Sequence, residues 1–149
     1  MSAPVVYCYD GSDPARHALA TASKILGERP AMVLTVWHSA WVAIAAAPYA
    51  MLSPDTMERV DTDSEAAATA MAAEGAALIA GATPHVEQSN GPVWESVLHF
   101  AEQHDAELVV AGSRGLTPLK STVLGSVSHG LVNHTHMPVM VIPPNGAKP

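Results

Sequence analysis

Short apolar runs alternate along the chain with longer stretches in which apolar positions recur at helical spacing. PVVYCY, residues 4–9, is continuous and rich in β-branched and aromatic side chains, which predicts a short buried strand ending at Asp10-Gly11-Ser12. The next stretch, DPARHALATASKILG, reads as a helix that Asp13 caps, with Pro14 at its first position and Gly27 as its stop. AMVLTVW, residues 31–37, predicts a second strand. From His38 to about Pro54 the period is lost, and this Ala-, Trp- and Pro-rich segment reads as a loop or excursion with some apolar cover. An alanine-rich helix is expected from about Pro54 to Ile79, with Gly81 as its stop. HVEQSN predicts a third strand, and Gly91-Pro92 turns into VWESVLHFAEQH, whose Val93, Val97, Leu98 and Ala101 share one helical face. AELVVAG predicts a fourth strand, SVSHGLVNH a final helix with Gly130 inside it, and MPVMVIP a fifth strand; residues 144–149 read as a frayed tail.

The resulting order, β-α-β-α-β-α-β-α-β, predicts an α/β fold: a five-stranded parallel sheet with helices on both faces. Strands covered on both faces read as unbroken apolar runs, as VVYCY, MVLTVW, ELVVAG and PVMVIP do. With no internal repeat and no compositional break, residues 1–149 are expected to form a single domain. Ligands of such sheets bind beyond the carboxyl ends of the strands, at the topological switch point. The first predicted strand ends in Asp10-Gly11-Ser12 and the fourth in Gly112-Ser113-Arg114-Gly115. If these two strands are neighbours, their ends face one crevice.

Composition narrows the classes of function. Hydrophobic residues make up 48% of the chain and charged residues 14%, which describes a globular sequence. The N-terminus has no basic and apolar leader, and no apolar run approaches the roughly 20 residues of a membrane span. WVAIAAAPYAML, residues 41–52, comes nearest and is broken by Pro48. Cys8 is the only cysteine, which excludes an internal disulfide and fits a reducing compartment, so a cytoplasmic location is expected. A net charge of −7 argues against nucleic acid and anionic membranes as partners. After Arg59, the only basic residues before the tail are Arg114 and Lys120, both in the glycine- and hydroxyl-rich loop. That placement fits an anion, and it equally fits chance on an exposed loop.

The loop is none of the common phosphate signatures. Leu119 stands before Lys120 where a Walker A sequence needs glycine, G-x-G-x-x-G is absent, and GSVSHG misses the nucleophile elbow by one residue. Its physical resources are plain nonetheless. Gly112 and Gly115 let backbone approach a ligand and permit positive φ. Gly125-Ser126 opens a helix whose first N–H groups attract phosphate, Ser126 and Ser128 add hydroxyls, and consecutive amides can form an anion nest.

With these residues in place the chain resembles the universal stress protein family, whose nucleotide-binding members carry G-x2-G-x9-G-[S/T]. Gly112, Gly115, Gly125 and Ser126 match that spacing, and YDGSDPARHAL, ELVVAGSRG and HMPVMVIP look like the family's first strand and helix, fourth strand and fifth strand. The resemblance covers nearly the whole chain and is weakest over residues 38–65. It implies a Rossmann-like fold of the adenine nucleotide alpha hydrolase-like type with strand order 3-2-1-4-5. It implies binding of ATP, or of AMP or cyclic AMP, with Mg2+ as a possible companion of the phosphates. In that reading Gly112 and Gly115 lie against ribose and phosphates, while Gly125, Ser126, Val127 and Ser128 supply amides and hydroxyls. Asp10 faces the nucleotide, Tyr9 lines the same wall, Val36 packs on the adenine or bonds it through its backbone, and Ala111 and Arg114 border the pocket. Ala15 departs from the family, which often has serine there. The resemblance further implies a homodimer through the last strand, residues 137–143, and a nucleotide-dependent regulator of the stress response acting on an unidentified protein partner.

Other conspicuous residues have plainer readings. His134 and His136 form an H-x-H without a cysteine or carboxylate at ligand spacing, and a place near a helix C-terminus suits them better than a metal. Cys8 reads as an inert core thiol, and Trp37, Trp41 and Trp94 as core or interface packing. Asp10-Gly11-Ser12 is also an ordinary turn sequence. No Ser-His-Asp or Cys-His arrangement can be assigned from the sequence, so no catalytic residue is named. Two alternatives stay open: an interaction module of the same fold with an empty pocket, and a slow ATP hydrolase.

Overall fold

The computed structural model describes residues 2–46, 52–115 and 124–146. The strands are β1 (Val5–Cys8), β2 (Ala31–His38), β3 (Thr83–Ser89), β4 (Leu108–Gly112) and β5 (Val139–Ile142). The helices are α1 (Asp13–Leu26), α2 (Ala40–Ala46), α3 (Pro54–Ala76), α4 (Val93–Gln103) and α5 (Ser126–His134). All strand pairs are parallel, and their order is β3-β2-β1-β4-β5, as the resemblance implied.

Successive side chains of β1 serve opposite faces of the sheet, as the two-residue period of a strand requires. Val5, Tyr7 and Tyr9 join Ala18, Leu19 and Ala22 of α1 and Ala76 of α3 in one buried cluster. Val6 joins Leu34, Val109 and the apolar face of α4, with Leu131 of α5, in the other. The helices thus cover both faces, α1 and α3 on one and α4 and α5 on the other. Val5, Val6, Val33, Val109 and Val110 are fully buried, which is why their strands carry no polar alternation.

Four local expectations are corrected. Ser12, not Asp13, caps α1: its Oγ accepts from the Ala15 amide at 3.2 Å, and Asp13 sits in the first turn. The segment after His38 contains α2, whose first amide, that of Ala40, donates to Asp61 Oδ1 of α3 at 2.6 Å. α3 ends at Ala76, before Gly81, which takes φ +75° in the following turn. β3 starts at Thr83 and includes Pro84, tolerated because β3 is an edge strand with one side free of ladder bonds. Gly130 does lie inside α5, and its reason is contact. A Cβ there would stand 2.1 Å from Cδ1 of Trp94, so the missing side chain lets α4 and α5 close. Met51, Lys120 and the tail beyond Gly146 lie outside the described residues.

Candidate functional site

β1 pairs with β2 on one side and β4 on the other, so the chain's direction of winding changes beside β1. At this switch point, beyond the carboxyl ends of the strands, lies a cavity of about 510 Å³. Tyr9, Asp10, Val36, Ala111, Gly112, Arg114, Gly115, Gly125, Ser126, Val127 and Ser128 all border it. Sequence reasoning missed Cys8, Leu34, Val93 and Val97, which supply much of its apolar wall. Val93 and Val97 were legible as one face of α4, but nothing in the sequence distinguishes a face that meets the sheet from one that meets a cavity.

Asp10 is held by the turn that follows it. Its Oδ1 accepts from the Ser12 amide at 3.0 Å and from Ser12 Oγ at 2.5 Å. The same hydroxyl caps α1, so a short relay ties the carboxylate to the helix N-terminus. The other oxygen, Oδ2, lies against the glycine loop. The ordinary turn role and the cavity-facing position therefore belong to two oxygens of one side chain.

Tyr9 borders the cavity, but its ring belongs to the opposite face of the sheet. The phenol donates to Glu74 Oε1 of α3 at 2.5 Å, and that oxygen also accepts from Arg16 Nη2 of α1 at 2.7 Å. Burial, together with the bond to Glu74, pushes the Tyr9 phenol up to about 12. Glu74, receiving hydrogen bonds from Tyr9 and Arg16, is held below the usual carboxylate range.

The loop glycines act by close approach and not by unusual backbone. Gly112, Gly115 and Gly125 all have φ outside the left-handed region, so of the two freedoms the sequence offered at Gly112 and Gly115 it is close approach that is used. A Cβ on Gly115 would lie 2.6 Å from Asp10 Oδ2, and one on Gly125 would lie 3.3 Å from the Ser113 carbonyl. The Gly125 amide donates to that same carbonyl at 2.7 Å, which draws the start of α5 against the end of β4. Ser128 is buried, and its hydroxyl donates to the carbonyls of Gly125 at 3.1 Å and Ser113 at 3.3 Å. Its hydroxyl ties the start of α5 to the end of β4, and among the described residues no side chain caps α5.

The cavity joins two chemistries. Leu34, Val36, Val93, Val97 and Ala111 make an apolar compartment, and Asp10, the loop backbone and the start of α5 make a polar rim. The positive end of the α5 dipole and its first-turn amides favour an anion there. Burial and the nearby Asp10 push the Cys8 thiol up to about 12, which leaves it protonated and unreactive at neutral pH. Among the described residues no group of three or more His, Cys, Asp or Glu side chains could hold a metal ion. His134 stacks on Trp94 with ring centroids 4.0 Å apart.

The model of the Universal stress protein family matches residues 1–143. Universal stress protein MJ0531 of Methanocaldococcus jannaschii is 36% identical over 62 residues, covering 42% of this chain and 36% of that protein. The curated relatives are thus matched over about a third of their length. The solved structure of protein MJ0577 superposes with a TM-score of 0.69 at 19% identity, covering 99% of both chains. Several of the similar structures contain an adenine nucleotide. A universal stress protein in complex with cAMP has a TM-score of 0.59 at 19% identity, covering 96% of this chain and 98% of its own. An Arabidopsis thaliana family protein with AMP bound has 0.60 at 16%, covering 97% and 94%. At these identities the structural likeness is one of fold, a Rossmann-like parallel sheet. No helix among the described residues is long and apolar enough to cross a membrane.

Proposed function

The chain belongs to the universal stress protein family, and from that premise we propose that it binds an adenine nucleotide in the cavity at the ends of β1 and β4. The observation that carries the reading is the joining of an apolar compartment to a rim of close-approaching glycines and the start of α5. The adenine packs among Leu34, Val36 and Val97, with the ribose near Asp10 and Gly112. The phosphates meet the amides of Ser126, Val127 and Ser128. A cavity of about 510 Å³ falls within the roughly 300–1,000 Å³ of small-molecule sites. The bound cAMP and AMP of the similar structures favour the adenine class. ATP with Mg2+ is the physiological ligand in this reading, and the loaded state differs from the empty one in its affinity for a partner in the stress response. Among the described residues β5 pairs on one side only, an edge that supports a homodimer through residues 137–143, read as twice the chain's mass in light scattering.

Isothermal titration of nucleotide-stripped protein with ATP and Mg2+, with AMP, cyclic AMP and GTP in parallel, tests the proposal. Saturable binding of the adenine nucleotides with none of GTP is the expected result. A folded protein that binds none of them overturns it.

A further inference from the structure

Two polar side chains outside the cavity converge on Tyr9, the residue immediately before Asp10. The β1–β2 pairing ends at Cys8 opposite Leu34, yet the chain is held one residue further. The Tyr9 amide donates to the Leu34 carbonyl at 2.9 Å, and Thr35 Oγ1 donates to the Tyr9 carbonyl at 2.9 Å. Thr35 is 3% exposed, in a strand whose other buried side chains are apolar. A buried hydroxyl is tolerated where it is bonded, and this one is bonded to that carbonyl. At the other end of the residue the phenol is bonded to Glu74, which Arg16 holds in turn. Gly75 leaves the room: a Cβ there would lie 2.6 Å from Tyr9 Cδ1.

We propose that Thr35 and Glu74 are positioning residues, gripping Tyr9 at its carbonyl and its phenol so that the Asp10 turn is fixed at the cavity mouth. The physical link is the planar peptide. The Tyr9 carbonyl and the Asp10 nitrogen and Cα share one plane, so a bond that orients the carbonyl orients the departure of Asp10. Asp10 then presents Oδ1 to Ser12 and Oδ2 to the Gly115 side of the loop. The grip stands on geometry alone, and its consequence for affinity rests on the nucleotide reading above.

The test reads the two separately. Amide exchange at Ser12, whose N–H donates to Asp10, reports the turn without any nucleotide. Thr35→Val and Glu74→Ala are expected to speed that exchange about tenfold while buried β4 amides stay protected. Thr35→Ser and Glu74→Gln, which keep the bonding atoms, are expected to restore it. In titrations with ATP and Mg2+, the same two losses are expected to weaken binding about fivefold in the native chain. In an Asp10→Ala background they are expected to have no further effect, because both act through Asp10. Unchanged Ser12 exchange in both variants overturns the grip. Equal losses with and without Asp10 overturn its route to the ligand. Faster Ser12 exchange in a protein that binds no ATP overturns the nucleotide reading and leaves the grip standing.

Discussion

Gly115 shows how one missing atom can govern a site. Its φ is unremarkable, so an L residue fits the backbone, but a Cβ would lie 2.6 Å from Asp10 Oδ2. Gly115→Val must therefore push the loop and the carboxylate apart. Since Gly115 lies beyond the end of β4 and outside both buried clusters, the fold is expected to survive. ATP affinity is expected to fall at least tenfold, on the order of 1.4 kcal/mol or more, with the thermal midpoint nearly unchanged. Titration and a melting curve on the same sample check this, and unchanged affinity in folded protein would sink the loop assignment. The spacing of the glycines was legible in the sequence. The reason for Gly115 was not, because it lies in the carboxylate of Asp10, far away along the chain.

Strands and helices were legible where burial was uniform and obscure where a single distant contact decided the outcome. The unbroken apolar runs marked β1, β2, β4 and β5 because each is covered on both sides. α2 was hidden because AWVAIAA has no polar face to give a period, and its first amide is held by Asp61 of another helix. The start of β3 was hidden because Pro84 reads as a breaker until the strand is known to be an edge. Gly130 looked like a flaw in α5 and is instead the seat of Trp94. Gly130→Ala would place a methyl 2.1 Å from the indole, an overpacking expected to cost about 2–3 kcal/mol. Much of that loss should return in a Gly130→Ala, Trp94→Leu double variant, measured by urea unfolding. If the single variant is as stable as the native chain, the contact does not set the α4–α5 spacing.

For the whole molecule, pH is expected to act on stability in part through His85. This side chain of β3 lies against Phe100 and His104 of the α4 end, with ring centroids 5.2 and 5.7 Å away. Burial first, and then His104, hold its pKa below the ordinary 6.5, with Glu87 opposing. A folded-state value below the unfolded one means that protonation favours unfolding. The contribution is complete above about pH 6.5 and is lost as pH falls through the lowered value. The urea midpoint is expected to drop between pH 7 and 5, and His85→Phe should flatten part of that drop while keeping the contact with Phe100. An identical pH profile in the variant would show that other groups carry the acid sensitivity.

The stack of Trp94 on His134, inclined by only 11°, has an optical consequence. An indole lying flat on an imidazole emits differently from one that is free, so the light from Trp94 measures the separation of α4 and α5. Val93, its neighbour, lines the cavity, and α5 begins at the cavity rim. With Trp37 and Trp41 replaced by phenylalanine, the chain carries a single built-in lamp at the contact between those two helices. Any ligand that shifts either one would change its colour or brightness without an added label.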